Sequence, residues 1–261
     1  MGKRLFGEPC AALSSPKLPA CVAALFIALG FLFGCASPVR EAGVPLDRTS
    51  GAIPVGMPNN IRFWPTIDTA PMVAEGLASI ERERALLGSA RLPPDNFLAI
   101  SGGGDNGAFG AGLLIGWTKS GTRPNFKVVT GVSTGALSAP FAFLGPEYDS
   151  QLEAVYTTIK ASDVFTPRGY IAAITNDAMA DTTPLFRTVE KFINEDLLRR
   201  IAAEYAKGRL LLIGTTDLDA LQPVVWNVSA LAASGNPNAV VLMRKILMAS
   251  SAIPGAFPPV L

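Results

Sequence analysis

The residues of this chain with the clearest chemical potential sit in two glycine-rich turns. One is Gly131-Val132-Ser133-Thr134-Gly135, a Gly-x-Ser-x-Gly pattern. A serine there can be a nucleophile on a sharp strand-to-helix turn, where the flanking glycines relieve crowding. It can equally be a plain helix cap, its hydroxyl accepting from the first helical amides. The other turn is Gly102-Gly103-Gly104-Asp105-Asn106-Gly107. Gly102, Gly104 and Gly107 satisfy the Gly-x-Gly-x-x-Gly spacing of a dinucleotide-binding turn. No acidic residue ends the following strand, however, because residues 126–130 run directly into Gly131. A phosphate-binding P-loop fails for want of a following Gly-Lys-Ser/Thr. Consecutive glycines ahead of a helix also leave amides uncovered where the helix N-terminus is electropositive, as an oxyanion requires. The bland reading is a tight turn with no ligand. Finding Gly102, Gly103 and Gly104 one strand–helix unit ahead of Ser133 favours acyl transfer, with no nucleotide bound.

A serine hydroxyl needs a base, and the chain contains no histidine. A Ser-His-Asp triad is therefore excluded for this chain acting alone. No Ser-x-x-Lys surrounds Ser133, so a carboxylate partner, a Ser–Asp dyad, is the surviving scheme.

The elements that must position these turns follow from the pattern around them. The apolar run 97–100, the glycine turn, a helix from about Ala108, a strand at 126–130, the serine turn and a second helix describe a parallel βαβ unit. Upstream, residues 71–87 carry apolar residues at helical spacing (Val73, Leu77, Ile80, Leu86, Leu87), with the charges at 81–84 expected on a solvated face. Downstream, 151–160 reads as a short helix and 165–183 as loop-rich. Residues 184–206 read as one long helix, with Thr183 as cap, Pro184 at its first position and Gly208 as its stop. Strands at 209–215 and 223–228 and a last helix at 237–250 complete the pattern. Alternating strands and helices predict an α/β fold, a mainly parallel sheet flanked by helices. At 261 residues, 49% hydrophobic and 16% charged, the chain can fill one sizeable core. Its formal net charge of +1 gives no basic excess to recruit nucleic acid.

The N-terminus reads as an address. Lys3, Arg4 and Lys17 precede sixteen uncharged residues, 18–33. That run falls short of the roughly 20 residues a membrane span needs and suits the apolar region of a secretory signal. Leu32-Phe33-Gly34-Cys35 resembles a bacterial lipobox, which implies cleavage after residue 34, acylation of Cys35 and loss of Cys10 and Cys21 with the signal. Ala36 after the cysteine, in that pattern, favours the outer membrane of the cell envelope. The expected organisation is a signal peptide at 1–34, a Pro/Gly-rich tether at 35–70 and a catalytic domain at 71–261, with Ile61-Arg62-Phe63-Trp64 apolar enough to dock on the domain.

Four blocks in order then resemble the patatin-like phospholipase family: SGGGDNGAFGAGLLIGW at 101–117, GVSTGAL at 131–137, GTTDLDA at 214–220 and SSAIPGAFPPV at 250–260. The resemblance implies lipid acyl hydrolysis by a Ser–Asp dyad, with a lipid or ester substrate and no metal or cofactor. By position, Ser133 resembles the nucleophile, Gly131 and Gly135 its flanking glycines, and Gly102 to Gly104 the oxyanion loop. Asn106 stands where the family often has a basic residue. The family's dyad aspartate sits in an Asp-Gly-Gly/Ala turn beyond the SAIPGAFPPV block, and this sequence has no Asp-Gly dipeptide. The dyad aspartate is thus expected to be missing from these 261 residues; Asp217 and Asp219 read as strand-end residues, and they and Asp105 in the glycine turn are the carboxylates left as substitute bases. The competing expectation is a catalytically inactive fragment or a lipid-binding lipoprotein.

Overall fold

The computed structural model describes residues 43–88, 91–169 and 178–261. The segment read as a signal peptide, with its lipobox-like end and Cys35, lies outside the described residues. A five-stranded sheet in the order β1-β7-β6-β3-β2 forms the centre. Its strands are β1 (Arg62–Phe63), β2 (Phe97–Ile100), β3 (Val128–Gly131), β6 (Leu210–Asp217) and β7 (Gln222–Asn227). Strands β2, β3 and β6 are parallel, with Ile100 opposite Gly131 and Gly131 opposite Ile213. Strand β6 continues past that level to Asp217 and turns back antiparallel into β7. Only residues 218–221 join the two, whereas a parallel connection needs a dozen or more. The sheet is therefore mixed: a parallel centre with an antiparallel hairpin and β1, which pairs antiparallel with β7, at one side. Ile61, Phe63 and Trp64, within the segment read as tether, are buried there.

The central helix is α3 (Thr134–Leu144), in which Gly135, Ala136 and every residue from Ser138 to Phe143 are buried. A helix apolar on all sides belongs inside a protein. It packs on β3 and is surrounded by α2 (Gly107–Lys119), α4 (Asp149–Thr157), α6 (Glu195–Ala206) and α8 (Ala239–Ser251), while the short α7 (Val228–Ala233) packs on α6 and β6. Residues 166–167 and 180–181 form a small antiparallel pair, β4 and β5, inside the segment expected as loop.

Two helical expectations are corrected. The long helix is two, α5 (Thr183–Phe192) and α6, separated by an extended Ile193. Asn194 starts the second: its Oδ1 accepts from Leu197 N at 3.0 Å, and Glu195 and Asp196 follow in the electropositive first turn. The other correction concerns α1 (Ala70–Leu87), which turns the opposite face inward from the one its apolar spacing suggests. Val73, Leu77, Leu86 and Leu87 are exposed, while Glu75 and Ser79 are buried. Ion pairing makes this tolerable, since a buried charge must be partnered. Glu75 meets Arg82 at 2.7 Å and Asn60 Nδ2 at 2.6 Å, Glu83 pairs with Lys127, and Ser79 donates to Gly208 O.

Candidate active site

Strand β3 delivers Ser133 at the carboxyl end of the parallel strands. Val132 N still donates to Ile100 O at 3.3 Å, and the chain then breaks from the sheet. Ser133 adopts φ 56° and ψ −126°, a left-handed conformation that costs a non-glycine residue about 1–3 kcal/mol. Helix α3 begins at once: Gly135 N donates to Val132 O and Ala136 N to Ser133 O, at 2.9 and 2.8 Å. Ser133 occupies the N-cap position, yet its side chain makes no capping hydrogen bond.

The flanking glycines are required by close approach. A Cβ on Gly135 would overlap Ile100 O, and one on Gly131 would lie 2.5 Å from Gly135 O. Gly102 is pressed against the serine itself, since a Cβ there would stand 2.8 Å from Ser133 Cβ. The glycine-rich turn and Ser133 are therefore brought together, as the sequence pattern requires. Gly104 to Asn106 make a single 3-10 turn that leads into α2 at Gly107. The amides of Gly102, Gly103 and Gly104 have no hydrogen-bond partner among the described residues. The run starts at Gly102, which packs on Ser133, and leads to a helix N-terminus, where a developing negative charge is favoured.

Behind the turns lies a support that motif reading did not identify. The Tyr156 hydroxyl is 2.8 Å from Ser138 Oγ and donates to Thr134 O at 3.1 Å, locking α4 to the first turns of α3. It also fills the space beside Gly107, where a Cβ would come within 2.6 Å of it. Burial raises the Tyr156 pKa, so it remains a neutral donor. No local pattern marks Tyr156. Ser250, whose Oγ accepts from Ser133 N at 2.8 Å, does lie in one of the four sequence blocks.

Asp217 Oδ1 accepts from Asp219 N and Ala220 N at 3.0 and 2.9 Å, capping the β6–β7 turn. Asp105 is exposed in the glycine turn. No carboxylate is hydrogen-bonded to Ser133 Oγ among the described residues. Among those residues, too, no group of three or more His, Cys, Asp or Glu is placed to hold a metal ion.

With this geometry in view, the family comparison is direct: the model of the patatin-like phospholipases matches residues 98–261. The chain belongs to the patatin-like phospholipase family, whose members are lipid acyl hydrolases. No curated protein sequence matches it.

Proposed function

We propose that the protein hydrolyses carboxylic-ester bonds of lipids, with Ser133 as nucleophile. The observation that carries this reading is the strained, uncapped Ser133 packed against Gly102, the first of three consecutive glycines whose amides are uncommitted among the described residues. Strain at a position with no capping role is typical of a functional constraint. In the proposed cycle Ser133 Oγ attacks the ester carbonyl, and its proton passes to a carboxylate base, the dyad partner that the family resemblance implies and that no described residue supplies at Ser133 Oγ. The oxyanion that forms is held by the amides of Gly102 to Gly104. Collapse expels the alcohol, which takes up that proton, and leaves an acyl-serine. Water, deprotonated by the same carboxylate, then releases the fatty acid and regenerates Ser133.

A second reading, lipid binding without turnover, is favoured by the lack of a carboxylate on Ser133 Oγ among the described residues. Purified protein and its Ser133→Ala variant, assayed on a short-chain ester and on phospholipid vesicles, separate the two. Turnover lost in Ser133→Ala supports the hydrolase. Vesicle binding with no turnover in either protein supports the second reading.

We further propose that the protein is a cell-envelope lipoprotein held at the outer membrane through acylated Cys35. The support is the uncharged run 18–33 and the Leu-Phe-Gly-Cys end of that run. Buried acyl chains contribute about 0.8 kcal/mol per CH₂, which anchors a protein of nearly zero net charge without electrostatic help. Metabolic labelling with an alkyne fatty acid is expected to mark the wild type and not Cys35→Ser. Labelling of both proteins would contradict the anchor.

A further inference from the structure

Strands β3 and β6 form a regular parallel ladder whose phase is set by Leu210 N donating to Lys127 O at 2.9 Å. Rungs of a parallel ladder recur every two residues. Continued past the last registered pair, Gly131 and Ile213, that phase puts Ser133 N opposite Gly214 O. The two are not bonded to one another. The hydroxyl of Ser250 stands between them, accepting from Ser133 N at 2.8 Å and donating to Gly214 O at 2.7 Å. Its polarity is fixed, because an amide can only donate and a carbonyl can only accept. Ser250 lies in the last turn of α8, a helix seated in the core through Ala239, Met243, Ile246, Leu247 and Met248. The hydroxyl is therefore presented by a packed element.

We propose that Ser250 is a positioning residue: its hydroxyl is inserted as a wedge in the β3–β6 ladder, levering the chain off the sheet at Ser133 and holding the nucleophile in its left-handed conformation. The inference deepens the hydrolase reading and rests on Ser133 as its nucleophile. Without the hydroxyl, Ser133 N and Gly214 O either stay unpaired or close into a direct rung. Closing the rung draws Ser133 toward extended backbone and carries Oγ away from the Gly102–Gly104 amides. It also accounts for one residue of the SSAIPGAFPPV block that the reaction scheme leaves without a role.

The test combines two readouts on the wild type, Ser250→Ala and Ser250→Thr. One is residue-resolved amide hydrogen exchange at Ser133, with Ala136 as internal reference. The other is the rate of labelling by a fluorophosphonate probe, together with kcat and KM on a short-chain ester. Slow exchange at Ser133 is expected in the wild type, and fast exchange there overturns the wedge whatever the variants do. In Ser250→Ala, exchange at Ser133 is expected to rise and labelling and kcat to fall about tenfold or more with KM little changed, as for a nucleophile displaced by under an ångström. Ser250→Thr, which keeps the oxygen, is expected to recover most of both. Unchanged labelling in Ser250→Ala, or a Ser250→Thr as slow as Ser250→Ala, overturns the proposal. Failure of the hydrolase reading looks different: the wild type does not label at all, and exchange at Ser133 alone then decides for or against the wedge.

Discussion

The two glycine-rich turns leave neighbouring strands at the same end of the sheet, and they are built in opposite ways. At the Gly131–Gly135 turn nearly everything is committed. Gly131, Gly135 and Ala136 are buried, and the Val132, Ser133 and Gly135 amides all have partners. At the Gly102–Gly104 turn the chain lies open, with Gly103 and Gly104 exposed and three amides uncommitted. The first turn is over-determined so that one side chain can be held in a strained conformation. On the proposed mechanism, the second keeps its hydrogen-bonding capacity in reserve for a charge that exists only during reaction. Division of labour of this kind predicts that substitutions in the two turns fail differently.

The largest effect is expected at the committed turn. Gly135→Ala forces a methyl into Ile100 O and should cost about 3 kcal/mol or more, at the upper end of overpacking penalties. Thermal or urea unfolding should register it as a large loss of Tm or failure to fold; a normally stable variant would mean that the turn can relax. Next comes Gly102→Ala, whose methyl would press on Ser133 Cβ from the open side. Displacing a nucleophile by about 1 Å can cost on the order of a hundredfold in rate, so kcat should fall steeply while Tm changes little. A variant that lost stability and kept kcat would reverse the comparison. Gly104→Ala is milder. Its φ of 56° is unfavourable for alanine, yet nothing lies within 4 Å of the added methyl. About 1 kcal/mol of stability is expected to go, with the backbone amide and the activity retained.

The smallest effect on activity belongs to a control away from both turns. Burial first, and then the Glu75 carboxylate, pushes the Tyr205 hydroxyl up to about 12. A pKa raised on folding means that the native state holds its proton more tightly than the unfolded chain. The associated stability is complete below the unfolded value near 10 and is lost as pH climbs toward 12. Wild-type Tm should therefore decline across that window, and Tyr205→Phe should flatten the decline while ester hydrolysis stays within about twofold. A Tyr205→Phe protein with the same alkaline slope would place its origin elsewhere.

Much of this arrangement was legible in the residues. Glycine spacing identified both turns, and the continuous apolar runs identified the strands that carry them. The short connection at 218–221 also held the information that β6 and β7 form a hairpin, although alternation of elements suggested a more uniformly parallel sheet. The helices that depart from their apolar pattern share one cause: polar chemistry overrides apolar spacing. Helix α1 buries Glu75 and Ser79 because partners on distant segments, Asn60 and Gly208, satisfy them. The break between α5 and α6 was signalled by Asn194-Glu195-Asp196, a cap and acidic first turn hidden inside an apolar repeat. Ser250 was beyond reach for another reason. Its meaning depends on a ladder phase between strands some eighty residues apart in sequence.

The hydrolase proposal stands or falls on whether Ser133 is an activated nucleophile. Fluorophosphonate treatment of the purified protein, followed by peptide mass spectrometry, tests it most directly. A single phosphonyl adduct on Ser133 is expected, with loss of ester hydrolysis in proportion to labelling. Absence of an adduct there, with hydrolysis persisting in Ser133→Ala, would contradict it.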